Sequence, residues 1–77
     1  MKLSTIHSES VTPNSFIGRF KAHSLNVSRG YAGAEWQFIV ITRDGIPAAS
    51  GKAPGELLML EAIHQALIAA GLAKAKA

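Results

Sequence analysis

Seventy-seven residues, 48% of them hydrophobic and none of them cysteine, leave room for one domain with one small core. That composition excludes a disordered chain, disulfide staples and thiolate chemistry. A formal charge of +3 allows contact with nucleic acid or an acidic protein, without the charge density of a dedicated DNA binder.

A secreted domain this small usually needs disulfides, and Met1 to His7 contains no apolar signal-peptide core. The most apolar stretch is interrupted by Glu56, Glu61, His64 and Gln65, which argues against a membrane span. The expectation is a single cytoplasmic domain over residues 1–77, in the host cytoplasm if the chain is phage-encoded.

In chain order, residues 1–14 are rich in Ser and Thr, with Leu3, Ile6 and Val11 as the large apolar anchors. They read as an N-terminal arm or an edge strand, ending in the turn-like Thr12-Pro13-Asn14-Ser15. Phe16 to Val27 reads as one long strand. Phe16, Gly18, Phe20 and Ala22 fall on one face, and Ile17, Arg19, Lys21 and His23 on the other. Its phase slips at His23-Ser24, which predicts a bulge or a strand end there.

Ser28 to Ala34 is a glycine-containing loop. Glu35 to Arg43 is the clearest strand, with Trp36, Phe38, Val40 and Thr42 alternating against Gln37, Ile39, Ile41 and Arg43. Asp44-Gly45 signals a hairpin turn needing positive φ, and Ile46 to Ala53 follows as a strand whose Pro47 confines it to an edge.

Pro54 to Leu72 reads as one amphipathic helix, with Pro54 and Glu56 in its first turn and Gly71 as its stop. Residues 73–77 form a frayed basic tail. The predicted fold is α+β: a three- or four-stranded antiparallel sheet in β-β-β-α order, with the C-terminal helix packed on one face.

Both helix and sheet carry more apolar surface than such a domain covers. Met59, Leu60, Ile63, Leu67 and Ala70 suit the face toward the sheet. Leu57, Ile68 and Leu72 form a second ridge among Glu61, His64 and Gln65. Leu58, Ala62, Ala66 and Ala69 form a third, mostly small side suited to close helix–helix approach. Either Trp36 and Phe38 or Ile39 and Ile41 must face away from the helix. Unless the N-terminal arm covers one of these surfaces, the chain is expected to self-associate or dock on a protein. The expected protein interface is Leu57, Leu58, Glu61, His64, Gln65, Ile68 and Leu72, in a homodimer built through the helix or a sheet edge. Asp at Ile68 or Leu57 is expected to abolish association and spare the fold.

The candidate contacts for nucleic acid or an acidic partner are Arg19, Lys21, His23 and Arg43, with Trp36 or Tyr31 placed to stack a base. Glu61 and His64 share a helical i,i+3 spacing but no third group joins them. His7, His23 and His64 lie on different elements without metal-ligand spacing. No complete phosphate-loop or nucleophile motif occurs, so no catalytic residue, metal site or cofactor is read from the sequence, and an enzyme is not expected.

From Phe20 to Ala70 the element order resembles the β-β-β-α part of a double-stranded-RNA-binding domain. Trp36-Gln37-Phe38-Ile39-Val40 stands at its middle strand and Gly51-Lys52-Ala53 near its turn into the last helix. That family's first helix and basic helix start are missing, since Pro54-Gly55-Glu56-Leu57 has no lysine pair, so RNA binding is not implied.

The order is also similar to the truncated ribonuclease-H-like fold of HicB-type antitoxins, and Glu56-Leu57-Leu58-Met59 to an acidic ribonuclease H helix start. No Asp lies on the first strand as a metal partner, so nuclease activity is not implied. Two functions are therefore carried forward. The first is a small non-catalytic protein-binding inhibitor, by analogy with compact phage or mobile-element products such as anti-CRISPR and other anti-defence proteins. The alternative is a small nucleic-acid-binding or regulatory protein using a basic sheet face.

Overall fold

The computed structural model describes residues 6–73. Strands β1 (His7–Thr12), β2 (Ser15–Phe20), β3 (His23–Ser28), β4 (Trp36–Ile41) and β5 (Pro47–Ala53) precede one helix, α1 (Met59–Ala69). The strands form one antiparallel sheet in the order β1-β2-β3-β4-β5. The fold is α+β as expected, but the sheet has five strands rather than three or four.

Two readings account for the difference. The N-terminal segment is edge strand β1, with Ile6 buried just before it. Leu3 lies outside the described residues, as does most of the expected basic tail. The supposed single strand from Phe16 to Val27 is two strands, paired from Ser15↔Ser28 to Phe20↔His23. The phase slip marks a reversal of the chain. Lys21 and Ala22 form the two-residue turn, both in the left-handed region at φ 48° and 63°. A right-twisted hairpin favours that geometry, but glycine or asparagine usually supplies it. Over the stretch that carries the family resemblances, β3, β4, β5 and α1 do follow in β-β-β-α order, with two further strands before them.

The turn before β5 also differs from expectation. Of Arg43, Asp44 and Gly45, only Gly45 has positive φ, and the turn closes by Gly45 N–H to Thr42 O at 2.9 Å and Thr42 N–H to Ile46 O at 2.8 Å. β5 is an edge strand, as Pro47 requires.

One face of the sheet carries Phe16, Leu25, Val27, Trp36, Phe38 and Val40, all buried, and α1 lies across it. Ala62, Ile63, Ala66 and Leu67 of the helix are fully buried. Ala62 and Ala66 therefore bring the helix close to the sheet and are not available to a second helix. Leu57 and Leu72, read as part of a free ridge, also pack against the core, whereas Leu60, read as sheet-facing, is 37% exposed.

The helix starts five residues later than its pattern suggests. Trp36 Nε1–H donates to Leu57 O at 3.0 Å, and Arg29 Nη1 donates to Gly55 O at 3.1 Å. Both carbonyls are thereby withdrawn from a helical ladder. Gly55 also sits against the backbone of Gly33 and Ala34, where any Cβ would collide. Glu56 is thus outside α1. Glu61 serves the first turn instead, its Oε1 accepting from Leu58 N–H at 2.9 Å. Gly71 terminates the helix as expected, although α1 ends at Ala69 rather than at Leu72. Gly71 has φ 76°, and the bonds Leu72 N–H to Leu67 O (2.8 Å) and Gly71 N–H to Ile68 O (3.0 Å) make a Schellman end.

Arg29 ties three segments together. Its backbone N–H and its Nε both donate to Asn14, each at 2.9 Å, Nη1 holds Gly55, and the guanidinium lies 4.2 Å from the Trp36 ring centroid.

Two stability changes are expected. Arg29→Ala should cost about 2–4 kcal/mol in urea denaturation with an unchanged slope, and Arg29→Lys should recover less than half, because a compact ammonium lacks the planar fork that spans Asn14 and Gly55 and the flat face that lies on the indole. Ala22→Gly should instead stabilise by about 0.5–1 kcal/mol, read as a melting point a few degrees higher by circular dichroism.

Candidate interaction surface

Strand alternation decides what the uncovered face of the sheet presents. Because Trp36, Phe38 and Val40 point to the helix, Ile39 and Ile41 point away. Register then places Ile17, Asn26, Ile39 and Ser50 in one row across the sheet. Arg19, Ser24 and Ile41 form the next row on one side, and Ser15, Ser28, Gln37 and Lys52 on the other. Ile17 is 40% exposed, and Ile39 and Ile41 are half-buried by their neighbours. Ile39 and Ile41 are neighbours along β4, Asn26 separates them from Ile17, and Ser, Gln37, Arg19 and Lys52 surround the three. No element covers it among the described residues. His7–Thr12 extends the sheet sideways as β1, with Ile6 buried in the core just before it.

At one end this face dips into an open groove of about 440 Å³ lined by Glu9, Arg19, Ala22, Ser24 and Arg43. Arg19 donates from Nε (3.1 Å) and Nη2 (2.6 Å) to Glu9 Oε2. That hydrogen bond holds the Glu9 carboxyl below its ordinary range and raises the Arg19 guanidinium. Arg43 has no acidic side chain within salt-bridge distance among the described residues.

The expected basic face is not assembled. The hairpin turn puts Arg19 on the open face and Lys21 in the turn, its ammonium 5.3 Å from the Phe20 ring centroid. His23 pairs with Phe20 on the helix side of the sheet, its Nδ1 2.7 Å from Lys21 O. Only Arg43 joins Arg19, in the groove. Trp36 is 1% exposed and cannot stack a base, while Tyr31 is exposed on its loop. The sequence also locates the net charge. Residues 6–73 contain five Lys/Arg and five Asp/Glu, so the surplus of three comes from Lys2, Lys74 and Lys76.

On the helix, Glu61 and Gln65 are exposed and His64 and Ile68 half-exposed on the outer side. Leu58, 72% exposed, stands at its start. Of the expected protein interface, Leu57 and Leu72 are taken by the core and the other five stand outward. Sequence patterning missed Glu9, Ser24 and Asn26, which depend on strand pairings not visible locally. No protein-family model, curated protein or solved structure matches this chain.

The Glu9–Arg19 pair sets a pH signature. The carboxyl is depressed in the folded state, so its small contribution is present above the unfolded carboxylate range, around pH 4.3, and is lost as pH falls through the lower folded value. Thermal melts of wild type and Glu9→Gln should therefore differ slightly at pH 7 and converge at pH 2. A gap that persists unchanged at pH 2 would refute the assignment.

Proposed function

We propose that this chain is a small non-catalytic protein-binding module that works as a homodimer. It acts in the cytoplasm as an inhibitor, covering a surface on a larger complex in the manner of anti-CRISPR and other anti-defence proteins. The observation behind this reading is the sheet face opposite the helix, where Ile17, Ile39 and Ile41 point outward among Ser, Asn, Gln, Arg19 and Lys52, with no element over them among the described residues. Apolar side chains interspersed with polar ones are the ordinary composition of a non-obligate protein interface. The outer side of α1, with Leu58, Glu61, His64, Gln65 and Ile68, is the seat proposed for the second copy. Leu57 is not part of that seat. It packs on the core and its carbonyl receives the Trp36 N–H, so Asp at Leu57 would test folding rather than association.

The nucleic-acid alternative has less support. Its stacking residue Trp36 is buried, Arg19 is tied to Glu9, and Lys21 and His23 lie away from the open face.

Light scattering tests the proposal. The wild-type chain should scatter as twice 8.1 kDa at both low and high salt. Leu58→Asp should scatter as a single chain with an unchanged melting point. A wild-type mass of one chain at all concentrations would refute the dimer. Co-purifying nucleic acid that salt strips away would favour the alternative.

A further inference from the structure

We infer that the partner of the open sheet face is a protein segment in which apolar side chains are followed by a carboxylate, and that Arg43 is the residue that receives this carboxylate. The inference rests on the protein-binding reading above and names the partner's chemistry.

Area gives the first argument. Five strands spaced about 4.8 Å apart, each near six residues long at about 3.3 Å rise, give the face a plan of roughly 24 by 20 Å. A stable interface takes about 800 Å² of accessible surface from each partner. The three isoleucines alone fall well short, so a partner held here must also engage what adjoins them. Along β4, Ile39 and Ile41 share the open face at two-residue spacing, and Arg43 follows at the same interval in the turn, where it lines the groove.

Charge gives the second argument. Residues 6–73 balance five cations against five anions, yet the groove gathers two arginines and one glutamate. Glu9 is committed to Arg19 by two hydrogen bonds. Arg43 faces no acid within salt-bridge distance among the described residues, and the Ser24 hydroxyl is the remaining donor in the groove. A guanidinium beside a hydroxyl in a concavity suits a carboxylate. Arg19 and Lys52, the other cations of this face, are each paired with a glutamate, so the face lacks the track of free cations that suits a phosphate backbone.

The test uses the full isotope-labelled chain and two blocked peptides, acetyl-Ile-Ala-Ile-Ala-Glu-amide and its Gln counterpart, followed by amide chemical shifts. The Glu peptide should bind roughly fivefold to tenfold more tightly. It should shift Ser24, Ile39, Ile41 and Arg43, and Arg43→Ala should abolish the Glu-over-Gln preference while leaving the spectrum folded. Equal binding of the two peptides, lost in Ile39→Asp, would overturn the acidic-partner inference and leave the protein-binding face standing. No binding of either peptide would overturn both. Tighter binding of a single-stranded oligonucleotide at the same amides would overturn both in favour of nucleic acid.

Discussion

The structure depends on the contact between Arg29 and Trp36. A sheet with one helix has two weak places: the corner where the last strand hands over to the helix, and the flank where the first hairpin meets the rest. Arg29 addresses both from one loop position. Its guanidinium lies over the indole, its Nε and backbone N–H hold Asn14 in the β1–β2 turn, and its Nη1 holds Gly55 on the way into α1. Trp36 completes the corner by donating to Leu57 O. A charged side chain is half-buried here with no acid partner among the described residues because it meets two carbonyl-type oxygens and an aromatic face. Burial of a charge is costly unless its donors are satisfied in this way.

That node also explains why the sequence overstates the helix. Leu57 and Leu58 continue the apolar periodicity of α1, and nothing local distinguishes them from Met59. The boundary is set by tertiary hydrogen bonds from residues about twenty to thirty positions earlier. The C-terminal end was legible because its cause is local: Gly71 adopts positive φ and Leu72 closes the motif. β4 was legible for the same kind of reason, a strict alternation of strong β-formers. The β2–β3 hairpin was half legible. The phase slip stood in the sequence, but Lys21-Ala22 lacks the glycine or asparagine that announces a left-handed turn. The slip therefore read as a bulge or a strand end within one long strand rather than as a reversal, and the strand count came out short.

The same turn undid the basic stripe. Arg19, Lys21 and His23 share a face only if the strand continues. Once it reverses, they fall on three surfaces, and only Arg43, from another hairpin, stays near Arg19. The apolar surplus was better read on the sheet than on the helix. Alternation in β4 forces either the aromatics or the isoleucines outward, whatever the partner strands do. On the helix the small side chains Ala62 and Ala66 looked suited to another helix, but a sheet bearing Phe16, Trp36 and Phe38 needs small residues above it just as much. Residue size alone does not say which neighbour it serves.

An uncovered sheet is a hazard as well as an opportunity, and the way this chain contains the hazard bears on its function. Its edges are blunted: Pro47 opens β5, and β1 is a polar strand with a register irregularity at Ser8/Ser10 and a charged Glu9. Edge-to-edge pairing is discouraged at both ends, while no described element covers Ile17, Ile39 and Ile41 on the face between them. Defended edges beside an undefended face are what a protein needs if it is to meet other molecules through side chains rather than through backbone pairing. A partner of the kind proposed would be selected by surface chemistry, which on this face changes from apolar at Ile39 and Ile41 to cationic at Arg43.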